Sequence, residues 1–264
     1  MLLQQLTRIQ LLREDSMEPI EITDLSKSFK TKRARSVEAV KNLSLTVKQG
    51  EVIGFLGPNG AGKSTTIKIL MGLIKPTSGQ ARIMGQDTGS PRARTHVGYL
   101  PENPAFYDYL TGEEYLDFVG KIFNMHRTLL SNRSKYVLDL FELWDARKRA
   151  IRSYSKGMVQ RLGLAQTIIH DPEVYIFDEP MSGLDPIGRK MVSDLILELK
   201  SREKTIFFSS HILSDIERCC DKAAIIVEGR LRLIYDLRER GSKNDTLESI
   251  FLREAGKTGS NNAL

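Results

Sequence analysis

The sequence predicts an α/β protein with strands buried on both faces, and three segments carry that prediction. Glu51-Val52-Ile53-Gly54-Phe55-Leu56 is a short apolar run without polar alternation, the pattern of a strand covered on both sides. Val174-Tyr175-Ile176-Phe177 and Thr205-Ile206-Phe207-Phe208 share that character, and each stops abruptly at polar residues. Apolar residues at helical spacing follow the first two runs, so strands and helices alternate along the chain.

With 264 residues the chain can bury a full α/β core, as one main domain or a domain plus a subdomain. Its 41% hydrophobic and 27% charged residues are ordinary for a globular protein, and no stretch approaches the ~18 apolar residues of a membrane span. The net charge of +6 fits work near an anionic membrane surface or nucleic acid, and equally a merely basic soluble protein. Cys219 and Cys220 are adjacent, giving neither a disulfide framework nor a zinc pattern, which points to a reducing cytosol.

Taken in order, residues 1–16 read as separate from the rest. Leu2, Leu3, Leu6 and Ile9 give a weakly amphipathic pattern, without the basic start and cleavage site of a signal peptide. A dispensable extension or an upstream start codon explains them, ahead of a membrane-surface helix. Met17-Glu18-Pro19-Ile20-Glu21-Ile22 reads as the first strand.

The run ending at Leu56 leads into Gly57-Pro58-Asn59-Gly60-Ala61-Gly62-Lys63-Ser64, followed by Thr65. Ile67, Leu70, Met71 and Ile74 then recur at i, i+3, i+4 and i+7, a helix stripe that is expected to stop at Lys75-Pro76. Strand, glycine-rich turn and helix together make a phosphate-binding loop. Glycines let the backbone wrap closely around phosphates, and N–H groups at the helix start face the anion. Lys63 is expected to reach the β- and γ-phosphates and the Ser64 hydroxyl to ligate Mg²⁺, so the site implies a nucleoside triphosphate.

Further along, Ser153-Tyr154-Ser155-Lys156-Gly157-Met158 opens an apolar helix running through Leu162, Ala165 and Ile169. A serine hydroxyl, a glycine and free N–H groups at its start form a second candidate anion site. The second buried run ends in Asp178-Glu179-Pro180. A carboxylate there can hold Mg²⁺ through water, and its neighbour Glu179 is a candidate general base for an attacking water. Ser182-Gly183-Leu184-Asp185-Pro186 feeds a helix with Asp185 as N-cap, Pro186 at the first position and Met191, Leu195 and Leu199 on its apolar face. The third run closes on Ser209-Ser210-His211, whose histidine at a strand's carboxyl end points into the ligand crevice. Residues 237–264 form a C-terminal tail, in which 241–245 and 256–262 are polar and glycine-containing and are expected to be loosely held.

These motifs in this order, phosphate loop, Tyr154-Ser155-Lys156-Gly157-Met158, Asp178-Glu179, Ser182-Gly183-Leu184-Asp185 and His211, resemble the nucleotide-binding subunits of ABC transporters over roughly residues 17–235. The resemblance implies a RecA-like P-loop core with an antiparallel β-subdomain and a helical subdomain inserted at about 102–155. It implies a head-to-tail homodimer sandwiching two ATP molecules. Each ATP then lies between one phosphate loop and the partner's Ser155, Lys156 and Gly157, with Asp185 reaching across. It also implies that Phe29 stacks on adenine, that Glu179 is the hydrolytic base and that His211 holds the γ-phosphate and attacking water.

Three departures qualify the match. Glu102 occupies a place usually held by glutamine, where it could ligate Mg²⁺ or position water, and Lys156 and Met158 replace the more usual glycine and glutamine. These features, with Pro101 to Thr111 and the closing Leu247-Glu248-Ser249-Ile250-Phe251-Leu252, resemble the subunits serving ABC-2 type permeases, commonly exporters. The resemblance implies a separate integral-membrane permease, a place on the inner face of the cell membrane, and a docking groove near Glu102 lined by Phe106, Tyr107 and Tyr109. The alternative is a non-transport ABC-superfamily ATPase acting on nucleic acid or ribosomes. Those types carry long coiled-coil or zinc insertions or a second such domain, and this chain has none, so no nucleic-acid partner is expected.

Overall fold

The computed structural model of the chain describes residues 18–30, 36–239 and 246–256. The extension 1–16 and the polar segments 241–245 and 257–262 lie outside the described residues.

Alternation within three short apolar runs builds the two layers of the core. In β3 (Val52–Leu56), Val52 and Leu56 enter one hydrophobic cluster while Ile53 and Phe55 enter the other. Tyr175 and Phe177 of β7 (Val174–Asp178) point the first way, and Val174 and Ile176 the second. In β8 (Thr205–Ser210), Ile206 and Phe208 oppose Phe207 in the same manner. A period-2 pleat with apolar residues at every position has to be covered on both faces.

Those strands form a six-stranded sheet in the order β10-β9-β3-β8-β7-β6, completed by β6 (Val97–Leu100), β9 (Lys222–Val227) and β10 (Arg230–Asp236). Neighbours from β9 through β6 run parallel, and β10 closes one edge antiparallel to β9. A second, antiparallel sheet of β1 (Ile20–Lys30), β2 (Ser36–Val47), β4 (Ser78–Ile83) and β5 (Gln86–Asp87) has the order β2-β1-β4-β5. Its Ile20, Ile22, Val40 and Leu45 share the second cluster with Ile53, Phe55 and Ile67.

The first helix, α1 (Lys63–Leu70), follows the glycine-rich turn, and α2 (Pro91–Thr95) precedes β6. The helix α1 ends a turn before the expected Lys75-Pro76. Gly72 takes φ 65°, its N–H bonds Ile69 O, and Leu73 N–H bonds Lys68 O, both at 2.9 Å. That pair of bonds is a Schellman C-cap, so glycine ends this helix and proline does not. Ile74 still packs against the second cluster from the loop.

Between β6 and β7 lie α3 (Gly112–Ile122), α4 (Arg127–Leu140) and α5 (Lys156–Ile168). The start of α3 is fixed by a capping box in which Thr111 and Glu114 exchange side-chain and backbone bonds. Leu116, Leu130, Val137 and Phe141 join the first cluster with Leu162 and Ala165 of α5. The connections after β7 and β8 carry α6 (Pro186–Ser201) and α7 (Leu213–Cys219). Within the segment read as a tail, residues Leu247–Gly256 form a further helix, α8, whose Leu247 and Ile250 are buried in the first cluster. Apolar residues three apart anchor it there. No helix among the described residues is long and apolar enough to cross a membrane.

Candidate active site

The glycine-rich turn occupies the carboxyl end of β3, the strand between β8 and β9 at the middle of the parallel sheet. Gly62 sits at φ 108°, and a Cβ there would meet Ala39 O at 2.4 Å, so only glycine lets the turn pass this close to β2. Gly229 ties the turn to its other neighbour by donating its N–H to Ala61 O at 2.9 Å. The first helical bond of α1 runs from Thr66 N–H to Gly62 O, leaving the N–H groups of Lys63, Ser64 and Thr65 ahead of any helical acceptor.

A cavity of about 480 Å³ opens over this helix start. Pro58, Asn59, Gly60, Ala61, Gly62, Lys63, Ser64 and Thr65 line it together with Glu102, Glu179 and His211. Thus residues far apart in sequence, placed beyond the ends of four different strands, converge on one cavity. Gly57 lies at the base of the loop, where its carbonyl accepts from Lys63 Nζ at 2.7 Å. Ala39 and Ser182 also line the cavity, and no pattern in the sequence marks Ala39 for that role.

Lys63 is buried, and its ammonium lies 3.3 Å from Glu179 Oε1. The other oxygen of Glu179 accepts from His211 Nδ1 at 2.8 Å, with the histidine ring 45% exposed and the carboxylate side chain 10%. Glu179 therefore sits between a fixed cation and a ring open to the cavity, the placement a water-activating carboxylate needs. His211 is held by a turn in which Ser210 Oγ accepts from Ile212 N–H at 3.0 Å.

Asp178 is buried beneath the cavity. Its Oδ1 accepts from Ser209 Oγ at 2.7 Å and from Ser64 Oγ at 3.2 Å. Burial and the charge of Asp178 push the Tyr99 phenol up to about 12, so it stays neutral beside that carboxylate. The donor set suits Mg²⁺: Ser64, Asp178 and the cavity-lining Glu102 are hard oxygen donors. Among the described residues no three acidic, histidine or cysteine side chains gather as an all-protein metal cage.

Ser155, Gly157 and Asp185 do not line this cavity. With Met158, Arg161, Gly183 and Gly188 they line a separate one of about 470 Å³. Ser155 caps α5, its Oγ accepting from Met158 N–H at 3.3 Å, and Asp185 caps α6, its Oδ1 accepting from Gly188 N–H at 2.7 Å. Lys156 is exposed beside them, its Nζ 3.1 Å from where a Cβ on Gly183 would lie. Phe29 lines neither cavity. It stands 42% exposed on β1 with Lys27 Nζ 5.1 Å from its ring centroid, a surface position open to stacking. Of the aromatic residues near Glu102, Tyr107 and Tyr109 are exposed, but Phe106 turns inward onto Tyr115 at 4.8 Å.

Sheet order, phosphate loop and strand-end acids define a P-loop nucleoside triphosphatase. A family model described as ABC transporter matches residues 40–182. An ABC transporter ATP-binding protein of Synechocystis is 48% identical over 83% of this chain and 63% of its own length. The bacitracin transport ATP-binding protein BcrA of Bacillus licheniformis is 45% identical over 80% of this chain and 68% of its own. The ABC transporter ATP-binding protein NatA of Bacillus subtilis is 34% identical over 88% of this chain and 96% of its own. A solved ATP-binding subunit of an ABC transporter superposes at TM-score 0.81 with 30% identity, covering 89% of this chain and 98% of that one. A dimeric bacterial ABC transporter cassette reaches 0.77 at 23% identity, over 84% of this chain and all of that one. The chain belongs to the ABC transporter family, in the class of its ATP-binding subunits, with a RecA-like P-loop core. It spans about 63% of the length of the Synechocystis relative, which is the longer protein.

Proposed function

We propose that this chain hydrolyses ATP as the nucleotide-binding subunit of an ABC transporter, closing on ATP as a head-to-tail homodimer that drives a separate membrane permease. The observation that carries this reading is the division of the phosphate-binding machinery between two cavities. One holds the phosphate loop, Glu102, Glu179 and His211, and the other holds Ser155, Gly157 and Asp185. A second copy turned head to tail brings the second set onto the first copy's nucleotide, giving Ser155, Lys156, Gly157 and Asp185 their role in trans.

In this reading the phosphates lie on Gly57 to Thr65, and Phe29 stacks on the adenine. Lys63 neutralises the β- and γ-oxygens. Glu179 accepts a proton from the attacking water, and His211 orients that water and the γ-phosphate. Ser64 and Asp178, with Glu102 nearby, would hold Mg²⁺, which would supply charge neutralisation at the transferring phosphoryl group. We assign the permease to the ABC-2 type, acting in export, on the Tyr154-Ser155-Lys156-Gly157-Met158 signature and the acidic Glu102. Docking falls to Tyr107 and Tyr109 on the surface beside Glu102, which places the subunit peripherally on the inner face of the membrane. The domain organisation follows: the ATPase unit over 17–236 with its helical subdomain at about 102–155, preceded by the extension 1–16.

The test is Glu179→Gln. Turnover is expected to fall roughly 10²–10⁴-fold, the usual worth of a general base, while ATP binding is kept. Hydrolysis at the original rate, measured by phosphate release, rejects Glu179 as the base.

A further inference from the structure

We infer that Ser209 is a positioning residue for hydrolysis: its one hydroxyl clamps both acidic residues of the site in their working orientation. The inference rests on the roles given above to Asp178 and Glu179, and it adds a residue that neither the motifs nor the cavity lining marks. Ser209 is fully buried on β8, and the parallel register with β7 sets it directly beside Asp178. Its Oγ donates to Asp178 Oδ1 at 2.7 Å and accepts from Glu179 N–H at 2.9 Å.

Both bonds bear on the chemistry. Asp178 Oδ1 is held from below by Ser209, so the carboxylate is locked by a donor that no solvent can replace. Glu179 stands at φ 51°, a left-handed backbone uncommon for a residue with a side chain. The bond from its N–H to Ser209, with Ser182 N–H bonded to its carbonyl at 3.0 Å, fixes that turn from both sides. The turn in turn aims the carboxylate between Lys63 and His211. Without the hydroxyl, a buried N–H and a buried carboxylate oxygen each lose a partner, and the backbone has every reason to relax out of the left-handed region.

The experiment is steady-state hydrolysis by the full chain with ATP and Mg²⁺ titrated separately. For Ser209→Ala, kcat is expected to fall about 10–100-fold and the half-saturating Mg²⁺ concentration to rise, the size seen when support behind a metal ligand is lost. The KM for ATP should stay within about twofold, because the loop and Lys63 are untouched, as uniform binding requires. Ser209→Thr keeps the hydroxyl and should recover most of the rate. Should Ser209→Ala fail to fold, Ser209→Cys has nearly the same volume and only a weak S–H donor, and the same drop is expected. An unchanged kcat and Mg²⁺ requirement in either variant overturns the inference, as does a Thr variant as slow as Ala. Glu179→Gln measured alongside separates the two readings. If it is inactive while Ser209→Ala runs at the original rate, only the role of Ser209 falls; if it is fully active, the base assignment itself is wrong.

Discussion

Lys63 is the side chain on which the phosphate loop and the strand-end acids meet. Its ammonium satisfies itself on Gly57 O at 2.7 Å and on Glu179 at 3.3 Å. In the proposed reading the same ammonium, with three donors, also meets the β- and γ-phosphate oxygens. Lys63→Ala should therefore weaken ATP binding at least about 30-fold, the scale of truncating one partner of a buried charge pair. Titration calorimetry reads this directly, and a Kd within threefold of the original would exclude the role. At this scale the phosphate loop was legible because its chemistry is backbone geometry, and only Gly62 tolerates the approach of Ala39. Asp178, Glu179 and His211 were legible because each ends a strand, and a parallel sheet brings strand ends together. Ser209 was not. It stands in Ser209-Ser210-His211 like any polar strand terminus, and its meaning comes from β7, 31 residues earlier in sequence, through the bond to Asp178. Phe106 was misplaced for a related reason: exposure depends on Tyr115, which no local pattern reveals.

Elements fix how tightly the inserted helices are joined to the core, and His170 sits at that joint. It follows α5, and its ring stacks on Phe123 just past α3, with centroids 3.6 Å apart and planes 7° from parallel. Its Nε2 lies 3.2 Å from Val97 O, while Nδ1 is buried without a partner, a combination that fits only the neutral ring. Burial accordingly lowers its pKa to about 4 from 6.5. Between those values the unfolded chain binds the proton and the folded chain refuses it. Stability is therefore intact above about pH 6.5 and is lost as pH falls toward 4. The slope attributable to this ring is on the order of 1 kcal/mol per pH unit. Urea unfolding at pH 7 and pH 5 should show His170→Gln losing less stability on acidification than the original chain; equal losses would count against the ring. Boundaries of elements were less legible than their existence. Proline at 76 suggested where α1 stops, but Gly72 acts first because a left-handed cap satisfies two carbonyls at once. The helix α8 was hidden in a segment whose flanks are polar, since its anchor is only Leu247 and Ile250 against the first cluster.

For the whole molecule, two-layer burial was the most legible property, because runs with no polar position admit only a sheet covered on both faces. The pairing of two copies is a different matter, since it concerns a surface that the protomer itself leaves open. Gly157 offers a clean way to probe that surface. A Cβ added there meets nothing closer than Ser155 Oγ at 4.0 Å, so the backbone at 157 accepts a side chain. It lies in the cavity that does not hold the phosphate loop, so the protomer's own nucleotide is undisturbed. Gly157→Arg is therefore aimed at what approaches that cavity from outside. In the Glu179→Gln background, saturating ATP and Mg²⁺ should convert the chain to dimers in light scattering. Adding Gly157→Arg should return it to protomers that still bind nucleotide. Dimers that persist in the double variant would mean the copies meet through some other face, and protomers in both would mean that ATP does not bring them together at all.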